Sequence, residues 1–178
     1  MQTYQMSGRL FADMMRGGTV NLKRNISIVN DLNVFPIPDG DTGDNMCMTA
    51  EGGVAVMDEA EALCDAAKKL ARGMLLSARG NSGVILSQFF EGLSRGFEGV
   101  TSADAAAVGA AFKRGVEQAY SSVVTPTEGT ILTVMREATD FAVAATSPDA
   151  SIEDFFDAFK PEMRRSLEHT PELLPVLK

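Results

Sequence analysis

Three aspartates, Asp39, Asp41 and Asp44, crowd into six residues of the run Asn33-Val34-Phe35-Pro36-Ile37-Pro38-Asp39-Gly40-Asp41-Thr42-Gly43-Asp44-Asn45-Met46. Carboxylates so close repel one another unless a cation neutralises them, and such hard oxygen ligands suit Mg²⁺ or Ca²⁺ rather than zinc. The spacing is not that of an EF-hand. Its sixth position would fall on Asp44 instead of Gly and its twelfth on Ala50 instead of Glu. Prolines stiffen the segment before the acids and a helix start follows them, which favours a metal site. The helix start would also receive a phosphate. A plainer use of the same residues is an Asp-rich turn that caps the helix.

A second loop, Ser77-Ala78-Arg79-Gly80-Asn81-Ser82-Gly83, lies between two helical patterns. Its small residues expose backbone N–H groups at a helix start, a natural cradle for an anion. It is not a P-loop, because the chain contains no Gly-Lys pair. A glycine-based turn between helices accounts for it equally well. The third loop, Thr125-Pro126-Thr127-Glu128-Gly129-Thr130, also opens a helix, and an N-cap motif explains it when taken alone. The three become a site only if they converge on one end of the molecule.

The elements that must position these loops are helices. Leu22, Ile26 and Val29 recur at helical spacing after an earlier stripe of Met6, Leu10 and Met14, predicting helix from Ser7 to about Leu32 with a kink or break at Gly17-Gly18. A weaker helix is predicted over 45–57 and a strong one over 59–77. Ile85, Phe89, Leu93 and Phe97 form the next ridge. Ser102 is the expected cap of a helix carrying Val108, Phe112, Val116 and Tyr120, and Ile131, Met135, Ala138 and Ala142 mark another. Ser151 with Asp154 reads as a capping box ahead of Ile152, Phe155, Phe159 and Met163. Thr170-Pro171 reads as the start of a last short helix. No strand is expected: Pro36 and Pro38 bar Val34–Pro38 from a sheet interior. Residues 122–134 support either state. Short connections then predict an all-α, eight-helix antiparallel bundle or closed barrel in a single domain over 1–178.

Composition narrows the function. The 178 residues carry 16 basic and 24 acidic side chains, a net charge of −8. That opposes nucleic-acid binding and attachment to anionic membranes, which draw on clustered Lys and Arg. No apolar stretch is long enough to span a bilayer and the first residues lack a signal-peptide layout, so a cytoplasmic location is expected. Cys47 and Cys64 are too few for a disulfide framework, and the lone His169 excludes a histidine zinc cluster. His169 reads as a structural or surface residue.

Four blocks in order carry a resemblance: LNVFPIPDGDTGDNM (Leu32 to Met46), SARGNSGVILSQ (Ser77 to Gln88), TPTEGTILTVMREA (Thr125 to Ala138) and LEHTPELLPVLK (Leu167 to Lys178). With GRLFADMM from Gly8, they resemble the nucleotide-binding domain of bacterial fatty acid kinase, which is similar to the L subunit of dihydroxyacetone kinase. The resemblance implies an eight-helix antiparallel barrel binding ATP or ADP at one rim through two Mg²⁺ ions. It implies Asp39 and Asp41 as catalytic, metal-holding residues, with the third metal position near Asn33. Thr42, Gly43, Asp44, Asn45, Arg79, Gly80, Asn81, Ser82 and Thr130 match segments on the nucleotide side, although Asp44 stands where Thr is usual. In that family the ending is followed by a Gly-rich stretch and further domains, so the chain is expected to be the N-terminal part of a longer one, through whose remainder a homodimer could form.

The implied activity is a kinase or phosphotransferase that passes the γ-phosphoryl group of ATP to a fatty-acid carboxylate presented by a separate fatty-acid-binding protein. That acceptor is already ionised at neutral pH and needs no general base. Two other functions compete: a dihydroxyacetone (glycerone) kinase-like or phosphatase-like enzyme acting on a small polyol or phosphate ester, and a nucleotide-binding module without turnover.

Overall fold

A computed structural model describes residues 2–57 and 62–178. Among these residues the chain forms eight helices: α1 (Gly8–Arg24), α2 (Ile26–Asp31), α3 (Thr42–Ala55), α4 (Leu63–Ser77), α5 (Gly80–Gly96), α6 (Ala105–Ser121), α7 (Ile131–Ala145) and α8 (Ile152–Leu173). The expected all-α class is borne out. Residues 33–41 form an irregular loop, as the prolines require. The start of the helix predicted over 59–77 falls partly outside the described residues.

Several boundaries differ from expectation. Ser7 caps α1, its hydroxyl accepting from Leu10 N at 3.2 Å. The helix then runs unbroken through Gly17-Gly18 and stops at Asn25. Two glycines lower helix propensity by about 1 kcal/mol each, but the buried face of Gly8, Phe11, Ala12 and Thr19 continues past them, and tertiary packing overrides the local cost. Ser102 caps nothing. With Ala103 it forms β2 (Ser102–Ala103), paired antiparallel to β1 (Met6–Ser7). The cap of α6 is Asp104, whose carboxylate accepts from Ala107 N at 2.8 Å.

The capping box of α8 forms as expected: Ser151 Oγ accepts from Asp154 N and Asp154 Oδ2 accepts from Ser151 N. Thr170-Pro171 opens no new helix. α8 passes through Pro161 and Pro171 to Leu173, and only a 3₁₀ turn, Pro175–Leu177, follows. Pro161 costs the helix a backbone bond, but it occupies an exposed position on α8.

Consecutive helices from α3 to α8 pack on one another in series, while α1 lies on α3 and α4, and α2 on α3. The amino terminus ties the last helix to the first: Ile152 N donates to Thr3 O at 2.7 Å, and Thr3 N donates to Glu153 Oε2 at 2.9 Å. The core runs from Leu63, Leu70 and Met74 of α4 through Leu93 and Val108 to Phe155. Phe112 meets Phe155, Phe156 and Phe159 edge-on, with ring centroids 5.3 to 5.9 Å apart. Such contacts stabilise beyond the buried area alone.

One non-sequential pairing sets up the site. Because α4 returns antiparallel, α3 and α5 are parallel neighbours that begin level. A Cβ on Gly80 would stand 2.4 Å from Asn45 Nδ2, and one on Gly83 would stand 2.4 Å from Thr49 Oγ1. Neither helix could approach so closely with larger residues there.

Candidate nucleotide-binding site

The acidic loop joins α2 to α3 and turns at Gly40, whose φ of +67° favours glycine. Asp39 and Asp41 are both exposed. Asn33 Nδ2 donates to Asp39 Oδ1 at 2.9 Å, while Asn33 Oδ1 is buried without a hydrogen-bond partner. An orphaned carbonyl oxygen beside a carboxylate is a donor set that suits a hard cation. Asn33 and Asp39 therefore fit the implied Mg²⁺ in chemistry, and Asp41 offers a second exposed carboxylate in the same loop. Among the described residues no three His, Cys, Asp or Glu side chains assemble into a metal-binding group, Asp39, Asp41 and Asp44 included. Asp44 is committed elsewhere: its Oδ2 accepts from Asn30 Nδ2 at 2.7 Å.

Thr42 begins α3, with Gly43 and Asn45 buried in its first turn. Asn45 is 9% exposed and packs on Gly80, and among the described residues no hydrogen bond holds its side-chain amide. Thr49 locks the second loop in place. Its hydroxyl donates to Asn45 O at 2.7 Å and accepts from Arg79 N at 3.3 Å. Gly80 takes φ +57° and opens α5, followed by exposed Asn81 and half-buried Ser82. The Arg79 guanidinium reaches only Ala78 O, at 3.0 Å, and pairs with no carboxylate among the described residues. Two level helix starts thus bring their dipole ends together beside the acidic loop, but only α5, which no side chain caps, offers a run of free N–H groups, over Gly80–Ser82. In α3 Asn30 Oδ1 takes Gly43 N and Asp44 N, and Asp41 O takes Asn45 N. This geometry favours an anion.

The third loop lies at the same end in the helix order, where α6 ends and α7 begins, but no hydrogen bond among the described residues joins it to the other two. Thr130 is occupied as the cap of α7, accepting from Leu132 N and donating to Thr127 O. The loop is held by a set of side-chain bonds that sequence patterning did not reveal. Glu128 accepts from Thr133 Oγ1 at 2.6 Å, Arg136 Nη2 at 2.8 Å and the Tyr120 hydroxyl at 3.1 Å. These bonds, that from Thr133 foremost, hold the Glu128 carboxyl below its usual range. Burial pushes the Tyr120 hydroxyl up. Glu128 stood in a quoted block, but only the fold shows that Tyr120 and Arg136 reach it.

Two shallow clefts, of about 250 and 180 Å³, lie between α5 and α6 and between α6 and α7. Neither is lined by Asp39, Asp41 or residues 79–83. The candidate site is an open rim, suited to a ligand held by charge and backbone N–H groups.

Residues 36–178 match the DAK2 domain family. The chain belongs to that family. The DAK2 domain is 42% identical over 180 residues to Protein YloV of Bacillus subtilis, covering 100% of this chain and 32% of that protein. It is 41% identical over 176 residues to an uncharacterized protein of Staphylococcus saprophyticus, and 40% identical over 176 residues to one of Staphylococcus aureus, covering 98% of this chain and 32% of each relative. The chain thus spans about a third of the length of these curated relatives. Membership in the dihydroxyacetone kinase family implies a kinase-related, nucleotide-binding module. Among the described residues no helix is long and apolar enough to cross a membrane.

Proposed function

We propose that this DAK2 domain binds ATP with divalent cations held by Asp39, Asp41 and Asn33, and passes the γ-phosphoryl group to a fatty-acid carboxylate presented by a separate lipid-binding protein. The observation that carries the reading is the level, parallel start of α3 and α5 beside the acidic loop, with the Asn45 side chain packed against Gly80 where they meet. Phosphoryl transfer depends mainly on positioning and charge stabilisation. Backbone N–H groups of the Gly80–Ser82 turn bind phosphate oxygens, the Asn45 amide orients them, and Arg79, which pairs with no carboxylate among the described residues, meets transferred charge. Mg²⁺, when bound by Asp39, Asp41 and the Asn33 oxygen, would supply neutralisation of the phosphate charge.

A carboxylate acceptor is favoured over a polyol because the polyol calls for proton removal. The one histidine, His169, pairs with Glu172 at 3.1 Å along α8, and no hydrogen bond or ion pair among the described residues joins it to the acidic loop. A separate protein as carrier is supported by the surface around the loop. Ile28, Leu32, Val34, Phe35 and Ile37 are all exposed. Between Arg24 and Lys68 the sequence has no Lys, Arg or His but nine Asp or Glu. An apolar patch with an acidic surround suits a partner with an apolar centre and a basic rim.

Calorimetric titration with ATP, with and without Mg²⁺, tests the reading. Asp39→Ala and Asp41→Ala are each expected to abolish Mg²⁺-dependent ATP binding while helical circular dichroism is retained. Unchanged affinity in both variants removes these residues from the site. Binding without transfer to any carrier-bound acyl chain would leave a nucleotide-binding module.

A further inference from the structure

An α-helix leaves its first N–H groups unsatisfied, and an Asp immediately before it is among the residues best suited to accept from them. Asp41 occupies that position on α3. Yet it makes no side-chain capping bond, and its backbone, at φ −117° and ψ 5°, is outside the extended region usual for a cap. The cap arrives from another element. Asn30, near the end of α2, has its Oδ1 2.7 Å from Gly43 N and 3.4 Å from Asp44 N, and accepts from both. Its Nδ2 donates to Asp44 Oδ2 at 2.7 Å. Gly43 makes the approach possible, since a Cβ there would stand 2.5 Å from Ile26 O and 2.9 Å from Asn30 Oδ1.

We propose that Asn30 is a positioning residue of the phosphate-and-cation site: by capping α3 in place of Asp41 and engaging Asp44, it keeps the Asp41 carboxylate free for a divalent cation. Three residues further on, Asn33 steadies Asp39 in the same way, through the 2.9 Å bond to its Oδ1. The two asparagines brace the two ends of the acidic loop. Without Asn30, the bare N–H groups of Gly43 and Asp44 draw the Asp41 side chain inward, and the Asp44 charge is released beside the cation position. The inference rests on the proposal that Asp39 and Asp41 hold the cation.

The test titrates Mg²⁺ and ATP calorimetrically into the wild-type chain, Asp41→Ala, Asn30→Ala, Asn30→Asp and the double variant Asn30→Asp/Asp44→Asn, with helicity followed by circular dichroism. Asn30→Ala is expected to weaken Mg²⁺-dependent ATP binding about 10- to 100-fold, as loss of a residue that orients a metal ligand does, at unchanged helicity. Asn30→Asp keeps the acceptor oxygen but sets two carboxylates against each other, and is expected to bind as weakly. The double variant exchanges donor and acceptor, so the bond re-forms and binding is expected to recover.

A cap that served only stability would lower the melting temperature and leave the folded protein's affinity alone. Wild-type affinity in Asn30→Ala, or a double variant no better than Asn30→Asp, overturns the inference while Asp41→Ala still reports on the cation site. Wild-type affinity in Asp41→Ala overturns the underlying proposal, and the inference with it. If Asn30→Ala does not fold, the comparison of Asn30→Asp with the double variant decides the matter.

Discussion

Glu128 shows how a single side chain holds a loop by charge and hydrogen bonding together. Thr133, Arg136 and Tyr120 all donate to it, and its carboxyl titrates below the ordinary 4.5. A group whose folded value is depressed stabilises fully above its unfolded value and ceases to do so as pH falls through the folded one. Urea melts of wild type and Glu128→Gln are therefore expected to differ most at neutral pH and to converge below about pH 4. The side chain is 49% exposed, so the difference at pH 7 is expected to be about 1 kcal/mol or less. A constant gap across pH would show that the charge plays no part. The same scale explains what the sequence left open about Asp44. Its neighbour Asn30 lies on another helix, and no local spacing could reveal that bond.

At the scale of the element, glycines of identical type do opposite things. Gly80 and Gly83 allow α3 and α5 to lie side by side, and a Cβ at either would stand 2.4 Å from its neighbour. Gly80 is also at φ +57°, which costs other residues about 1–2 kcal/mol. Gly80→Ala is expected to destabilise the chain by about 2 kcal/mol and to weaken ATP binding, because it forces the helix starts apart. Gly17 lies on the exposed face of α1, where an added methyl would have nothing within 4 Å, so Gly17→Ala is expected to stabilise by about 0.5–1 kcal/mol. Denaturant unfolding of both variants checks the opposite signs. Sequence patterning placed most helices from their apolar ridges. It misplaced the break in the first helix and the cap of α6, because at each a distant contact outweighed local preference, and it ended α8 too early, at Thr170-Pro171.

Across the whole molecule, the aromatic cluster of α6 and α8 is remote in the helix order from the acidic loop between α2 and α3. Phe155, fully buried among Phe112, Phe156 and Phe159, is expected on truncation to Ala to cost about 3–5 kcal/mol. In a chain of this length that lowers the melting temperature by roughly 10 °C or more. Mg²⁺-dependent ATP affinity, measured well below that temperature, is expected to stay near the wild-type value, since α3, α5 and the acidic loop keep their own contacts. A parallel loss of affinity would show that the two halves are coupled.

The candidate chemistry was read from residue types alone. Crowded aspartates after a proline-stiffened run and small residues ahead of a helix define local charge and local N–H exposure, and both are properties of neighbours in the chain. The helical class was legible for the same reason, since apolar residues at every third or fourth position mark one buried face. Only the tertiary structure decided that α3 and α5 lie parallel and begin level, that Asn45 rests on Gly80, and that Asn30 caps a helix 12 residues beyond it. Each depends on which helices touch, and that is set by packing across the whole core.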